Sequence, residues 1–172
     1  METNLNRVYK TIKVAVIAAF ILILIFLIQQ KHIFSREVVY NYDFGGQTKF
    51  IQGLYPEGRI VQLVESQQVN LEPVYFEVYA PQKYAKAKVK LRYKNAAGLG
   101  VKLGLKLDLN DWSFFMADLP SGGAEFVESE VEFDLEKAYK KNNRLKFIIA
   151  SPAVNESQEK IFIDNVVVIL IK

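Results

Sequence analysis

The stretch from Ala85 to Lys94 alternates two kinds of side chain and constrains the fold more than any other part of the sequence. One set is small, aliphatic or aromatic: Ala85, Ala87, Val89, Leu91 and Tyr93. The other set is cationic: Lys86, Lys88, Lys90, Arg92 and Lys94. Because successive side chains of a strand point to opposite faces, this period of two predicts an antiparallel strand with one buried face.

Two more stretches, Val101 to Leu109 and Phe126 to Phe133, alternate in the same way. In the second, the outward residues are acidic: Glu128, Glu130, Glu132 and Asp134. If the basic and acidic strands are neighbours in one sheet, their charges pair across the strands. Alternatively, the basic face is solvated, or binds an anionic glycan, a lipid headgroup or a nucleic acid.

Shorter apolar or aromatic stretches bounded by turn residues predict further strands. They cover residues 37–44, 49–54, 59–65, 74–79, 112–116, 145–150 and 160–172. Val166 to Ile171 is apolar on both faces, which predicts a central or covered strand. Residues 135–141 predict one or two helical turns, with Asp134 as N-cap. About nine short strands predict an all-β antiparallel sandwich over residues 37–172.

The N-terminal region contains an uninterrupted apolar run from Val14 to Ile28. With its flanks, this run predicts a transmembrane helix over Ile12 to Gln30. Residues 1–11 would then be a short cytoplasmic tail, residues 31–36 a juxtamembrane linker, and the sandwich extracytoplasmic. A cleaved secretory signal and a buried core helix are the alternatives, although no A-x-A-like site follows the run.

Composition excludes several classes of function. The chain has a formal net charge of +3, no cysteine and one histidine, His32. From Glu37 onward, the chain contains 17 basic and 18 acidic residues. The predicted sandwich is therefore not basic, and no nucleic-acid partner is expected. Disulfides, thiolate chemistry, His-based zinc sites and Ser-His-Asp catalysis lack the necessary residues in the domain. We therefore expect no enzyme.

Three segments resemble jelly-roll modules of the carbohydrate-binding and galactose-binding-like kind. They are Tyr40-Asn41-Tyr42-Asp43-Phe44, the region from Phe133-Asp134-Leu135 to Asn143-Arg144-Leu145-Lys146-Phe147-Ile148-Ile149, and Ile161-Phe162-Ile163-Asp164-Asn165-Val166. The resemblance implies a jelly-roll sandwich. It also implies a structural calcium at Asp164, which is the only cofactor expected. No motif assigns a second ligand, and Asp43 is named only as a candidate. The alternative is an aspartate that makes local backbone hydrogen bonds.

Trp112, with Phe114 and Phe115, is the candidate ligand-binding platform. An aromatic face binds the apolar C–H surface of a sugar ring. With 13% aromatic residues in the chain, the alternative is that these rings belong to the core.

Two functions fit a domain that lacks catalytic chemistry. The first is an accessory or structural module at the cell envelope, with the lipid bilayer and a membrane or envelope protein as partners. The alternative is a membrane-tethered module that binds an envelope glycan. An exposed Trp112 in a polar-rimmed groove would favour the glycan, and a buried Trp112 would favour the protein partner.

Overall fold

The computed structural model describes residues 12–25, 36–44, 48–109 and 112–172. The chain divides into two units, Met1–Arg36 and Glu37–Lys172. The predicted tail over residues 1–11 and nearly all of the predicted linker over residues 31–36 lie outside the described residues.

The described part of the first unit is a helix, α1, over residues 12–25. Residues 26–30 of the predicted membrane span lie outside the described residues. Within the described residues, no helix combines the length and the apolarity needed to cross a membrane. This finding contradicts the predicted single-pass membrane localisation and does not support the predicted transmembrane helix over residues 12–30.

The second unit is built from strands. In chain order they are β1 (Glu37–Asp43), β2 (Ile51–Tyr55), β3 (Ile60–Gln62), β4 (Gln67–Val69), β5 (Val74–Tyr79), β6 (Lys86–Lys94), β7 (Lys102–Lys106), β8 (Phe114–Asp118), β9 (Val127–Asp134), β10 (Lys140–Lys141), β11 (Arg144–Ala150) and β12 (Ile161–Ile171). Every pairing between them is antiparallel. They form two sheets, so the predicted all-β antiparallel sandwich is confirmed.

Sheet A has the strand order β3-β4-β12-β6-β9, with β1 also paired to β12. The apolar strand β12 is therefore central, as its two apolar faces predicted. The basic strand β6 and the acidic strand β9 are neighbours, with Lys90 opposite Glu130. Lys90 Nζ lies 3.5 Å from carboxylate oxygens of both Glu128 and Glu130. The pairing of the two charged ladders is confirmed.

Sheet B has the strand order β2-β5-β11-β7-β8, with the short strand β10 also paired to β11. Its inward side chains meet those of sheet A in one core. Phe147 lies at the centre of this core. Its ring stacks on Phe76 at a centroid distance of 5.1 Å and meets Phe133 at 5.6 Å. All three rings are fully buried, so this central part of the core is not available to a ligand.

Two details differ from the prediction. Residues 135–141 contain a turn and the strand β10 where helical turns were expected. Backbone bonds to other strands explain the difference, since Asp108 N donates to Lys137 O and Tyr139 N donates to Lys106 O. The short strand β4 was not predicted because Gln67-Gln68-Val69 has neither an apolar alternation nor β-branched enrichment.

The ladder pairing generates a stability prediction. Lys90→Glu would place an acidic side chain opposite Glu130, and we expect the free energy of unfolding to fall by about 0.2–1 kcal/mol because like charges on facing strands repel. Adding Glu130→Lys should recover part of the loss, because it restores this one pair while Glu128 and Lys88 keep like-charged neighbours. Urea denaturation of the three variants, at low and high salt, measures both effects. Equal destabilisation in the single and double variants would contradict the ladder.

Candidate functional site

Three aromatic rings lie together on the outer face of sheet B and form what we call the aromatic platform: Tyr55, Tyr75 and Phe114. Tyr55 lies opposite Tyr75 across the β2–β5 pair, and their ring centroids are 5.6 Å apart. The ring of Phe114, on β8, lies 6.4 Å from that of Tyr75. All three rings are half-buried, so each keeps part of its surface open to solvent.

The register of the strands explains how rings from β5 and β8 approach each other. Between them, β11 and β7 present Ile148 and Gly104, which are directly opposite each other. Gly104 has no side chain, and Met116 and Ile148 fill that space: a Cβ built at Gly104 would lie 2.7 Å from Ile148 Cγ2 and would overlap the sulfur of Met116. The face is therefore filled by apolar side chains at this point.

Charged side chains border the aromatic platform. Lys146 lies opposite Glu77, and its Nζ is 4.2 Å from the ring centroid of Tyr75. Lys106 Nζ lies 5.8 Å from the Phe114 ring and 4.7 Å from that of Tyr139. These distances are typical of cation–π contacts, which hold the amines beside the rings.

Glu77 fixes the orientation of one ring of the platform. The Tyr55 hydroxyl donates a hydrogen bond of 2.8 Å to Glu77 Oε1. Burial and this hydrogen bond raise the pKa of Tyr55, so the hydroxyl stays protonated and remains a donor at neutral pH. The ring is thus held by its polar end, and Lys146 Nζ lies over its face, 5.4 Å from the ring centroid.

Beyond the lysines, the face deepens into a cleft of about 500 Å³ that we call the basic cleft. It is lined by Gln52, Glu77, Lys106, Tyr139, Lys141, Asn142, Arg144 and Lys146. The hairpin between β10 and β11 forms one wall. Its turn residues, Asn142 and Asn143, have φ values of 52° and 59°. Two successive positive φ angles are typical of a type I′ hairpin turn, which asparagine tolerates.

The combination of rings and polar groups determines what this face can bind. Rings in a row offer apolar contact to the C–H faces of successive sugar units, and the amide, carboxylate and amines beside them offer hydrogen bonds to hydroxyl groups. Of the residues that line the cleft, Glu77 and the four basic side chains carry charge at neutral pH. The face is equipped for recognition of a polar ligand with apolar faces.

The structure places the two predicted ligand-binding residues differently. Trp112 precedes β8 and is 82% exposed, two residues before Phe114 of the aromatic platform. Phe115 lies on the opposite side of β8, where it meets the core residue Phe133 edge-on at 6.0 Å. Phe115 is 53% exposed and lines a separate cavity of about 520 Å³ with Lys86, Leu107 and Glu132. The two residues do not share one face, and their binding roles stay predictions.

Asp164, the predicted calcium ligand, is engaged by an arginine. Its Oδ2 lies 3.1 Å from Arg92 Nη1, and its side chain is 15% exposed. The other oxygen, Oδ1, is buried without a hydrogen-bond partner. Burial raises the pKa of Asp164, Arg92 opposes this, and the carboxylates of Asp43 and Glu65 add to the rise.

Calcium takes six to eight oxygen ligands. Among the residues the structure describes, no group of three or more His, Cys, Asp or Glu side chains could hold a metal ion. The observed partner of Asp164 is therefore Arg92, and a calcium at this aspartate stays a prediction.

Sequence reasoning named Phe114 but missed Tyr55 and Tyr75, the other two rings of the aromatic platform. A signal was present, since Tyr75, Glu77 and Tyr79 alternate with the buried residues of β5. That pattern places aromatic and acidic groups on one outer face. It does not show that Tyr55 and Phe114 come from other strands to join them, because strand order is a long-range property.

Known structures resemble this fold, although no family model and no curated protein matches the sequence. The CBM22-1 xylan-binding domain of Paenibacillus barcinonensis Xyn10C aligns with a TM-score of 0.53 and 14% identity, over 77% of this chain and 94% of that one. The xylan-binding module CBM15 gives 0.52 and 13%, over 78% and 97%. A variant of the module CBM29-2 gives 0.52 and 15%, over 77% and 91%. The predicted resemblance to carbohydrate-binding modules is confirmed, at the level of the fold.

The raised pKa of Asp164 generates a pH prediction. The folded protein holds the proton of this carboxyl group more tightly than the unfolded chain, so the contribution of Asp164 to stability falls as pH rises above the ordinary aspartate value of about 4. Asp164→Asn carries no titrating group, so we expect it to gain stability relative to the wild type over this range.

Thermal melts of both proteins in a chelator, from about pH 3 to pH 7, measure the difference. A difference in melting temperature that does not change with pH would contradict the prediction. Repeating the melts with calcium tests the predicted metal, because a ligand at Asp164 would then stabilise only the wild type.

Proposed function

We propose that residues 37–172 form a non-catalytic carbohydrate-binding module that holds a glycan chain across the outer face of sheet B. The observation that carries this proposal is the aromatic platform, three neighbouring rings drawn from three strands on one outer face. The basic cleft beside it supplies hydrogen-bonding groups along the same face.

The rings explain why a sugar is the best-matched ligand. A pyranose ring has an apolar C–H face and a rim of hydroxyl groups, so it needs an aromatic surface with polar side chains at its edge. The platform spans the sheet from β2 to β8, which favours an extended chain over a single sugar. The fold shared with xylan-binding domains supports a glycan ligand but does not identify it, because a fold alone does not transmit function.

The same geometry supports a role without catalysis. Glycosidases commonly use two carboxyl groups on either side of the scissile bond. Among the described residues that line the basic cleft, Glu77 is the single carboxylate, and it already accepts a hydrogen bond from the Tyr55 hydroxyl. We therefore assign the face to binding.

Binding of a partner protein, the accessory role expected from sequence, is less well supported. A buried Trp112 would have favoured that role, but Trp112 is 82% exposed. Much of the outer face of sheet A carries paired charges. Neither a lipid bilayer nor a partner protein has support in the described structure.

Trp112 and Phe115 enter the proposal separately. We include Trp112 as a further glycan contact, because it is exposed and lies two residues from Phe114. Phe115 belongs to the separate cavity on the other side of β8, so we expect it to contribute less.

Removal of the central ring tests the proposed site. Full-length Tyr75→Ala should lose glycan binding at least about tenfold, because the platform loses the ring that contacts both others. The matched control is Phe162→Ala, which removes a half-buried ring from the outer face of sheet A. Both proteins and the wild type are screened on an array of neutral and acidic glycans, with circular dichroism to confirm folding.

The array also ranks the other residues. We expect Trp112→Ala to weaken binding and Phe115→Ala to leave it nearly unchanged. A wild-type protein that binds no glycan, or a Tyr75→Ala protein that binds as well as Phe162→Ala, would refute the proposed function.

A further inference from the structure

The cationic side chains on the two outer faces of the sandwich differ in whether carboxylates lie beside them. On sheet A, each of Lys86, Lys88, Lys90 and Arg92 lies within 4 Å of a carboxylate oxygen. On sheet B, four cationic side chains line the basic cleft: Lys106, Lys141, Arg144 and Lys146. The acidic ladder that neutralises sheet A has no counterpart among the residues that line this cleft.

Three of these cations have no carboxylate partner within the described chain. Lys141, Arg144 and Lys146 form no salt bridge with any described residue. The single carboxylate of the cleft, Glu77, accepts a hydrogen bond from Tyr55. The cleft is therefore strongly positive in a domain whose basic and acidic residues nearly balance, at 17 and 18.

Arg144 adds an independent observation. Its Nη2 donates to the carbonyl of Lys49 at 3.2 Å, which fixes the plane of the guanidinium. Its Nη1 is buried and has no hydrogen-bond partner. Buried donors are rarely left unpaired, and an oriented guanidinium matches the two oxygens of an anionic group.

We propose that the glycan bound by sheet B is anionic, with carboxylate or sulfate groups on its sugars. The aromatic platform contacts the sugar rings, and the basic cleft receives the negative groups through Arg144, Lys141 and Lys146. This inference rests on the proposed function, because it names the ligand class of that same face.

Matched glycans test the inference on the full-length protein. Calorimetry compares oligosaccharides of cellulose, xylan and mannan with oligosaccharides of glucuronan, glucuronoxylan and mannuronan. Each pair shares a backbone and differs in its carboxylates. Sulfated cello-oligosaccharides form a third arm that separates sulfate from carboxylate recognition. We expect at least one anionic chain to bind about tenfold tighter or more than its neutral match, because charge-assisted hydrogen bonds are the stronger ones.

Salt and variants then separate charge recognition from sugar stacking. The preference should shrink as salt rises, since screening shortens the range of the attraction. Lys141→Gln, which changes an exposed side chain, and Arg144→Gln should each reduce the preference several-fold. Lys90→Gln removes the same charge from sheet A and should leave it unchanged.

The outcomes distinguish the proposal of an anionic ligand from the proposal of a glycan-binding site. Equal or tighter binding of all the neutral chains would overturn the anionic ligand and leave the glycan site standing. Loss of preference in Lys90→Gln as large as in Lys141→Gln would also overturn it, because net charge and not the cleft would then be responsible. Binding of none of these glycans would overturn both proposals.

Discussion

The burial of alternate side chains between two antiparallel sheets is the interaction on which the rest of this structure depends. Tyr93, Phe76, Phe133 and Phe147 are fully buried, and each contributes on the order of 1.5–3 kcal/mol by leaving water. Because every second residue of a strand is committed to this core, its neighbours are forced onto an outer face. The core thus decides which residues are available to solvent and in what order.

The two outer faces carry their exposed charged residues in different arrangements. Sheet A places a basic strand beside an acidic one, and the side chains of Lys86, Lys88 and Lys90 form ion pairs with glutamates of β9. Sheet B places its aromatic rings and cationic side chains on the same face without such a ladder. Met116 and Ile148 fill the space over Gly104 in the middle of that face, and the ring of Tyr75 lies 6.4 Å from that of Phe114. A self-neutralised face and an open face on one sandwich explain why we assign binding to sheet B.

The sequence predicted the sheets better than the site. Period-two alternation identified β6, β9 and the other long strands, because burial of one face leaves a direct trace in the residues. It also predicted the ladder pairing and the central position of β12. It failed where a local pattern was overridden by long-range bonds, as at residues 135–141. The sequence pattern also failed at the apolar N-terminal run. Hydrophobicity alone predicted a membrane-spanning helix there, and no such helix is found among the described residues. The aromatic platform as a whole could not be predicted from the sequence, since Tyr55, Tyr75 and Phe114 are brought together only by strand order.

The most direct test of the account is to map the bound glycan on the protein by NMR. Amide chemical shifts of the full-length protein would be recorded while the glycan that binds most tightly is added. The account predicts that the largest changes cluster on β5, β7, β8 and β11, around Tyr75 and Phe114, and that the charged ladders of sheet A stay unchanged. Changes centred on the ladders, or on the cavity beside Phe115, would contradict it.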